Sequence, residues 1–284
     1  MDGRGEEHNS VIRGYPTTPI RWRSALGKFV TDAVRIWDTH VHFPFDWENP
    51  ESDPTPRVEK LVEVMAEQNV VKASVLSGGR FGPDHDAALK LMQPHNELVP
   101  VAIIDPETFT IEKIQQLHDL GYRGGKLIGP PRAYDTPDYL PLYEKAEELA
   151  WPIVFHMGVI GGAVDYSRTH PSRDPEAAER HARWRKRVRE FGRGRTSARY
   201  MLPFHLETIA NWCPELWIIG AHLGNQGYYQ DAASVARWRP RVMFDLSGGE
   251  TIEEHAESGG FTSLYIASLN GHEAVARLLL ERGA

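Results

Sequence analysis

Short apolar runs alternate with longer amphipathic segments along most of this chain. Seven runs are rich in β-branched and aliphatic residues, at 34–41, 70–76, 98–104, 124–128, 152–156, 216–221 and 242–246. The runs are almost continuously apolar, which is typical of strands in a parallel sheet that is covered on both faces. We therefore predict seven parallel strands.

The segments between the runs carry apolar residues at steps of three and four, as in Ile111, Ile114, Leu117 and Leu120. This spacing places the apolar side chains on one face of a helix. Helices are predicted near 57–68, 84–92, 110–120, 137–149, 203–212 and 230–237. Strands that alternate with helices predict an α/β fold of βαβ units. A closed (β/α) barrel of the TIM type needs eight strands and an open sheet needs fewer, so periodicity alone leaves both architectures open.

Three parts of the chain depart from this rhythm. Residues 1–33 are polar and are predicted to form an N-terminal arm, whereas the alternating pattern occupies 34–250. A long insertion at 159–202 separates the fifth run from the sixth. Its basic stretch at 180–199 is either a solvated helix or a lid that attracts an anionic substrate. After Gly249 the composition changes, and we recognise no eighth strand.

Composition narrows the classes of function. The chain has 284 residues, a formal net charge of −7 and one cysteine, Cys213. The acidic total argues against a nucleic-acid partner, because phosphate binding needs a basic surface. One cysteine cannot form an internal disulfide and the N-terminus shows no signal peptide, so we expect a cytoplasmic protein. No run of about 18 apolar residues is present, so we expect no membrane partner.

Four histidines lie where predicted strands end. His40 and His42 close the first run within the motif D-T-H-V-H, which Asp38 begins, and His156 and His222 each end a later run. Alternation along a strand places Asp38, His40 and His42 on one face. The carboxyl ends of parallel strands meet on one side of the sheet, and neutral imidazole is a common ligand of zinc. The pattern favours a divalent metal site, and the alternative is a set of unrelated polar residues at strand ends.

These motifs resemble the amidohydrolase superfamily, in particular the amidohydrolase-related branch of lactone and amide hydrolases and non-oxidative decarboxylases. The resemblance rests on D-T-H-V-H, the lone histidine of the fifth run, I-I-G-A-H-L-G on the sixth and V-M-F-D-L-S-G-G on the seventh, and it covers about 34–250. It implies a TIM-type barrel in which His40, His42 and His156 bind a divalent metal, usually zinc.

The same resemblance suggests roles for two more residues. It implies that His222, on the sixth run, binds a second metal or orients the substrate. Lys126 ends the fourth run, where some superfamily members carry a carbamylated lysine that bridges two metals. We assign Lys126 to substrate binding, and the alternative is a lysine that reaches solvent or pairs with a carboxylate.

One family feature has no counterpart in the chain. The family carries an aspartate at the end of the eighth strand, in a motif of the form Gly-Ser/Thr-Asp-x-Pro, which binds metal and transfers a proton. Asp245, on the seventh run, and Asp105, after the third, are the substitutes that the sequence offers, and a structural role is the alternative for both. We assign catalytic roles to His222 and Asp245.

Residues 251–284 resemble a single ankyrin repeat. The letters T-S-L-Y-I-A at 262–267 stand where T-P-L-H-x-A is usual, and an apolar helix pattern follows. One repeat cannot bury its own apolar face. We therefore predict a barrel that lacks its eighth βα unit and carries a short all-α ankyrin-like piece. The open edge would favour a homo-oligomer.

Three functions remain open from the sequence, and a fourth, an interaction protein in which the ankyrin-like segment is the remnant of a longer array, is ranked last because one repeat presents too little surface. The first is a metal-dependent hydrolase that uses activated water on a small-molecule amide, lactone or ester. The second is a non-oxidative decarboxylase of the same branch. The third is a truncated relative without activity that only binds metal or ligand. A small, anionic molecule is the expected substrate in the first two.

Overall fold

The computed structural model describes residues 36–46, 51–68, 70–78, 83–160, 196–225, 227–245 and 247. The predicted arm at 1–33 and the ankyrin-like segment at 251–284 lie outside the described residues. Residues 161–195 of the predicted insertion, with most of its basic stretch, also lie outside them.

The seven predicted strands are all present and form one parallel sheet. The strands are β1 (Ile36–His42), β2 (Val70–Ser77), β3 (Leu98–Ile103), β4 (Gly125–Leu127), β5 (Ile153–Phe155), β6 (Ile218–Gly220) and β7 (Val242–Phe244). Each strand pairs in parallel with the next one along the chain, so the spatial order equals the sequence order.

Within the described residues six α-helices connect the strands, as predicted from the periodicity. They are α1 (Thr55–Glu67), α2 (His85–Met92), α3 (Ile111–Leu120), α4 (Leu140–Glu148), α5 (Pro203–Trp212) and α6 (Tyr229–Trp238). Two of them begin at side chains that cap free backbone N–H groups. Asp84 accepts a hydrogen bond from the N–H of Ala87 at 2.8 Å, and Thr110 accepts one from the N–H of Lys113 at 3.2 Å.

The sheet is curled. Seven strands spaced about 4.8 Å apart in a flat sheet would separate β1 from β7 by about 29 Å. Instead, Nδ1 of His40 on β1 lies 2.7 Å from Oδ2 of Asp245, one residue beyond β7. The sheet therefore bends round like the wall of a barrel. Among the described residues no strand lies between β7 and β1.

Apolar side chains cover both faces of this wall. On the concave face, Leu76, Val101 and Ile103 form a small buried cluster. Larger clusters pack between the sheet and the helices, one of them beside α1 and α2 and the other beside the remaining helices. None of the described helices has the length and apolar character needed to cross a bilayer.

Candidate metal centre

Strand β1 brings the first two histidines to the carboxyl end of the sheet. The strand contains a bulge, because three residue steps from Asp38 to Val41 oppose two steps on β2. The bulge interrupts the strict alternation that the sequence predicted for Asp38, His40 and His42. Asp38 is exposed, and its Oδ1 accepts a hydrogen bond from the backbone N–H of His40 at 3.0 Å. His40 is buried, whereas His42 is exposed with its ring centre 5.4 Å from that of His40.

Asp245 is the carboxylate of the cluster. Its side chain is 8% exposed, and that of His40 is 3% exposed. Oδ1 of Asp245 accepts hydrogen bonds from the backbone N–H groups of His222 and Ser247, each at 3.0 Å, and from the Ser247 hydroxyl at 2.6 Å. Burial by itself would raise the pKa of Asp245, but the hydrogen bonds from His40, Ser247 and His222 outweigh burial and hold that pKa well below its usual value. Asp245 is therefore an anion.

His222 lies in a strained turn directly after β6. Its φ is +61°, and φ is also positive at Leu223, Gly224 and Asn225. Residues other than glycine rarely adopt this backbone conformation, and such strain clusters at functional sites. The N–H of Leu223 donates to the backbone oxygen of Asp245 at 2.7 Å, which ties the turn to the end of β7.

His156 follows β5 and faces His222. Nδ1 of His156 lies 3.2 Å from Nε2 of His222. Asn225 holds the two loops together, because its side-chain amide donates to the backbone oxygens of Met157 and Val159, both at 3.0 Å. Burial lowers the pKa of His222 to about 4 and that of His156 well below its usual value, so both rings are neutral at pH 7.

Lys126 is a completely buried amine on β4. Its Nζ lies 3.3 Å from Nε2 of His40. Burial lowers the pKa of Lys126 to about 7, so the charged and neutral forms coexist near neutral pH. The sequence alternative of a lysine that reaches solvent is wrong.

The structure thus places all six predicted site residues at one end of the sheet, and it adds one that the sequence did not single out. The added residue is Ser247, whose hydroxyl lies 2.8 Å from Nδ1 of His40. A weak sign of it exists in the sequence, because Ser247 follows Asp245 by two positions. Asp105 is not linked to the cluster by any described contact. Its carboxylate accepts the backbone N–H of Glu107 at 3.0 Å in the loop after β3.

The donor groups suit a divalent metal. His40, His222 and Asp245 each offer a ligand atom, and the three atoms lie within 4.8 Å of one another. Nδ1 of His222 faces the backbone oxygen of Ser247 at 2.7 Å, and Nε2 of His156 faces that of Val159 at 3.4 Å. A carbonyl only accepts, so Nδ1 of His222 carries its hydrogen and Nε2 of that ring keeps a lone pair.

The facing nitrogens, Nδ1 of His156 and Nε2 of His222, lie 3.2 Å apart. Without a cation, Nδ1 of His156 can donate a hydrogen bond to Nε2 of His222, whereas a bound cation could take a lone pair from each. A tetrahedral zinc ion with Zn–N bonds of 2.0–2.1 Å holds its ligand nitrogens about 3.3 Å apart. The pair has the spacing of two ligands of one ion.

Comparison with known sequences identifies the family. The sequence profile of the amidohydrolase family matches residues 37–283. The chain belongs to the amidohydrolase family. It is thus an enzyme of the hydrolase or carboxy-lyase type, which confirms the resemblance drawn from the histidine motifs. The match also spans 251–283, and the ankyrin-like character of that segment stays a prediction.

Solved structures similar to this amidohydrolase include an uncharacterized TIM-barrel protein from Bordetella bronchiseptica, with a TM-score of 0.50 and 18% identity over 75% of each chain. A 5-carboxyvanillate decarboxylase from Sphingomonas paucimobilis has a TM-score of 0.48 and 14% identity over 84% of this chain and 86% of its own. A probable 2-pyrone-4,6-dicarboxylic acid hydrolase from Acinetobacter baumannii has a TM-score of 0.43 and 14% identity over 86% of this chain and 95% of its own. The Bordetella structure supports a TIM-type fold. No curated protein sequence matches significantly.

Proposed function

We propose that this amidohydrolase is a metal-dependent hydrolase of small-molecule amides, lactones or esters. One observation carries the proposal, namely the meeting of the imidazoles of His40, His156 and His222, the carboxylate of Asp245 and the buried amine of Lys126 at the carboxyl end of the sheet. In a barrel of this type, the carboxyl ends of the strands are where catalytic groups act.

His40, His156 and His222 would hold the ion through ring nitrogens that face into the cluster. A bound divalent ion supplies a polarised carbonyl and a water of lowered pKa. Imidazole ligands suit zinc, and carboxylate ligands suit manganese. That His42 is a further ligand stays a prediction.

Asp245 and Lys126 would act beside the ion, Asp245 by orienting a ligand and Lys126 by binding the substrate or a proton. The oxygens of Asp245 are already occupied by His40, His222 and Ser247, so Asp245 is better placed to orient His40 than to bind the ion itself. Lys126 would hold an anionic group of the substrate in its charged form, or take up a proton in its neutral form.

A decarboxylase is the second candidate, and Lys126 favours it. A buried amine beside imidazoles is a suitable site for a substrate carboxylate, whether that group stays or leaves as carbon dioxide. The reactions are distinguished by their products, because hydrolysis releases acid without gas and decarboxylation releases carbon dioxide.

The test begins with metal content. The purified full chain is stripped, reloaded with zinc or manganese and analysed for bound metal, beside a His40→Ala/His156→Ala double variant. The matched control is His95→Ala, because His95 pairs with Glu59 away from the cluster. We expect about one ion in the native chain and the control, and none in the double variant.

Activity follows on the loaded protein. Lactones and esters are assayed for acid release, amides for amine release, and aromatic carboxylates for carbon dioxide. Hydrolysis that the double variant loses supports the proposal. A native chain that takes up no metal after reloading would reject it in favour of an inactive relative.

A further inference from the structure

Every polar group of Ser247 is directed into the cluster. Its N–H donates to Oδ1 of Asp245 at 3.0 Å, and its backbone oxygen lies 2.7 Å from Nδ1 of His222. Its hydroxyl oxygen lies 2.6 Å from Oδ1 of Asp245, 2.8 Å from Nδ1 of His40 and 3.2 Å from Nδ1 of His222. This one hydroxyl therefore touches the carboxylate and both imidazoles.

Counting hydrogens fixes the direction of these bonds. A hydroxyl has one hydrogen and two lone pairs, and a carboxylate only accepts. The hydrogen of the Ser247 hydroxyl consequently points to Asp245, and its oxygen can only accept from the two rings. Nδ1 of His40 and Nδ1 of His222 must then both carry hydrogens.

The other acceptors around the two rings agree with this direction. Oδ2 of Asp245 lies 2.7 Å from Nδ1 of His40, and the backbone oxygen of Ser247 faces Nδ1 of His222. Each Nδ1–H is shared between two oxygens. The Ser247 hydroxyl is the only described atom that joins Asp245, His40 and His222 directly.

We infer that the Ser247 hydroxyl is a positioning group that holds His40 and His222 in the tautomer with hydrogen on Nδ1. This tautomer leaves a lone pair on Nε2 of each ring. Nε2 of His40 faces Lys126 at 3.3 Å, and Nε2 of His222 faces His156 at 3.2 Å. The described hydrogen bonds of Ser247 are all with Asp245, His40 and His222, so it acts through these groups.

The size of the effect follows from similar sites. Loss of a group that orients a metal ligand costs about 10–100-fold in metal affinity. In Ser247→Ala the backbone oxygen and Asp245 still accept from the two rings, so we expect the lower part of this range. The value of the tautomer to a metal rests on the proposed function, whereas the tautomer itself does not.

The first measurement reads the tautomer in the metal-free full chain. Nitrogen-15 spectra of the imidazoles are recorded at pH 8 for the native chain, Ser247→Ala, Ser247→Thr and Ser77→Ala. Ser77 is the matched control, because it is buried and its hydroxyl bonds to Tyr122 at 3.0 Å outside the cluster. We expect one Nδ1–H tautomer for His40 and His222 in the native chain, the Thr variant and the control. In Ser247→Ala the remaining acceptors keep the Nδ1–H tautomer the major one, and we expect a minor Nε2–H form to appear at one or both rings.

The second measurement is the zinc dissociation constant of the same four proteins, by competition with a chelator. We expect it to rise about tenfold in Ser247→Ala and to change less than threefold in the other two variants. Hydrogen on Nε2 of either native ring, or an Ala variant with native spectra and native zinc affinity, overturns the inference. If neither the native chain nor any variant binds zinc, the proposed function is wrong. The spectra of the metal-free chain still decide whether Ser247 holds the two rings.

Discussion

Nδ1 of His40 and Oδ2 of Asp245 lie 2.7 Å apart, although 205 positions separate these residues along the chain. Their contact joins the first strand of the sheet to the last. It also gives the chain a buried anion beside its histidines although the aspartate motif of the eighth strand is missing from the sequence.

Asp245→Asn should destabilise the metal-free protein. The amide has nearly the same shape, but its NH2 group brings hydrogens where the carboxylate oxygens accept from His40, His222 and Ser247. A buried donor or acceptor left unpaired costs roughly 1–3 kcal/mol. Urea unfolding measures the loss, with Asp105→Asn as the control because Asp105 only accepts a backbone N–H in its own loop. Equal losses in both variants would contradict a special role for Asp245.

Acid should weaken the metal-free fold over a defined pH window. Burial lowers the pKa of His222 from 6.5 to about 4, so protons bind the unfolded chain first as the pH falls. The free energy of unfolding should therefore decrease between about pH 6.5 and pH 4. His222→Asn should show a shallower decrease, because asparagine does not titrate there and tolerates the positive φ of this position. Urea unfolding at a series of pH values measures both slopes, and equal slopes would count against the buried neutral ring.

Raising the pH above about 7 should stabilise the metal-free fold through Lys126. Its pKa falls from 10.5 to about 7 on burial, so the unfolded chain holds this proton over a range in which the folded chain has lost it. The free energy of unfolding should rise as the pH increases from about 7 to about 10. Lys126→Met should flatten this rise, whereas Lys145→Met, on α4 and paired with Glu148, should leave it unchanged. A rise that persists in Lys126→Met would show that other groups cause it.

Gly158→Ala should disturb the contact between the loops after β5 and β6. Gly158 has φ of +63°, and a Cβ there would lie 2.5 Å from Cβ of Asn225. Crowding of this kind costs about 1–3 kcal/mol. Gly227→Ala is the matched control, since Gly227 also has positive φ (+91°) but a Cβ there meets nothing within 4 Å. Gly158→Ala should lose more stability than Gly227→Ala and bind zinc less tightly. Equal stability and equal zinc affinity of the two variants would contradict crowding between Gly158 and Asn225.

The main elements of the fold were predictable because their causes are local. The seven strands and six helices of the described residues follow from apolar periodicity, and the start of α2 follows from a side-chain cap at Asp84. The bulge in β1 was not predictable, because it depends on the register with β2. The sharp curl of the sheet depends on strand twist summed over seven strands, which no single segment encodes.

The part of the candidate site that depends only on the order of the strands was predictable. His40, His156 and His222 end strands that the parallel order brings to one side, so their proximity followed from the pattern. The sequence offered both Asp245 and Asp105 and assigned the catalytic role to Asp245, but whether either carboxylate reaches the histidines depends on the curl. Ser247 was not predictable, because the role of a serine depends on its hydrogen-bond partners in the folded chain.

The junction between the first and last strands also sets when the cluster can exist during synthesis. His40 emerges from the ribosome early, whereas Asp245 and Ser247 emerge only after some two hundred further residues. A growing chain therefore carries its early histidines for many seconds without the anion and hydroxyl that orient them. Assembly of the cluster marks the moment at which all seven strands have left the ribosome and joined one sheet.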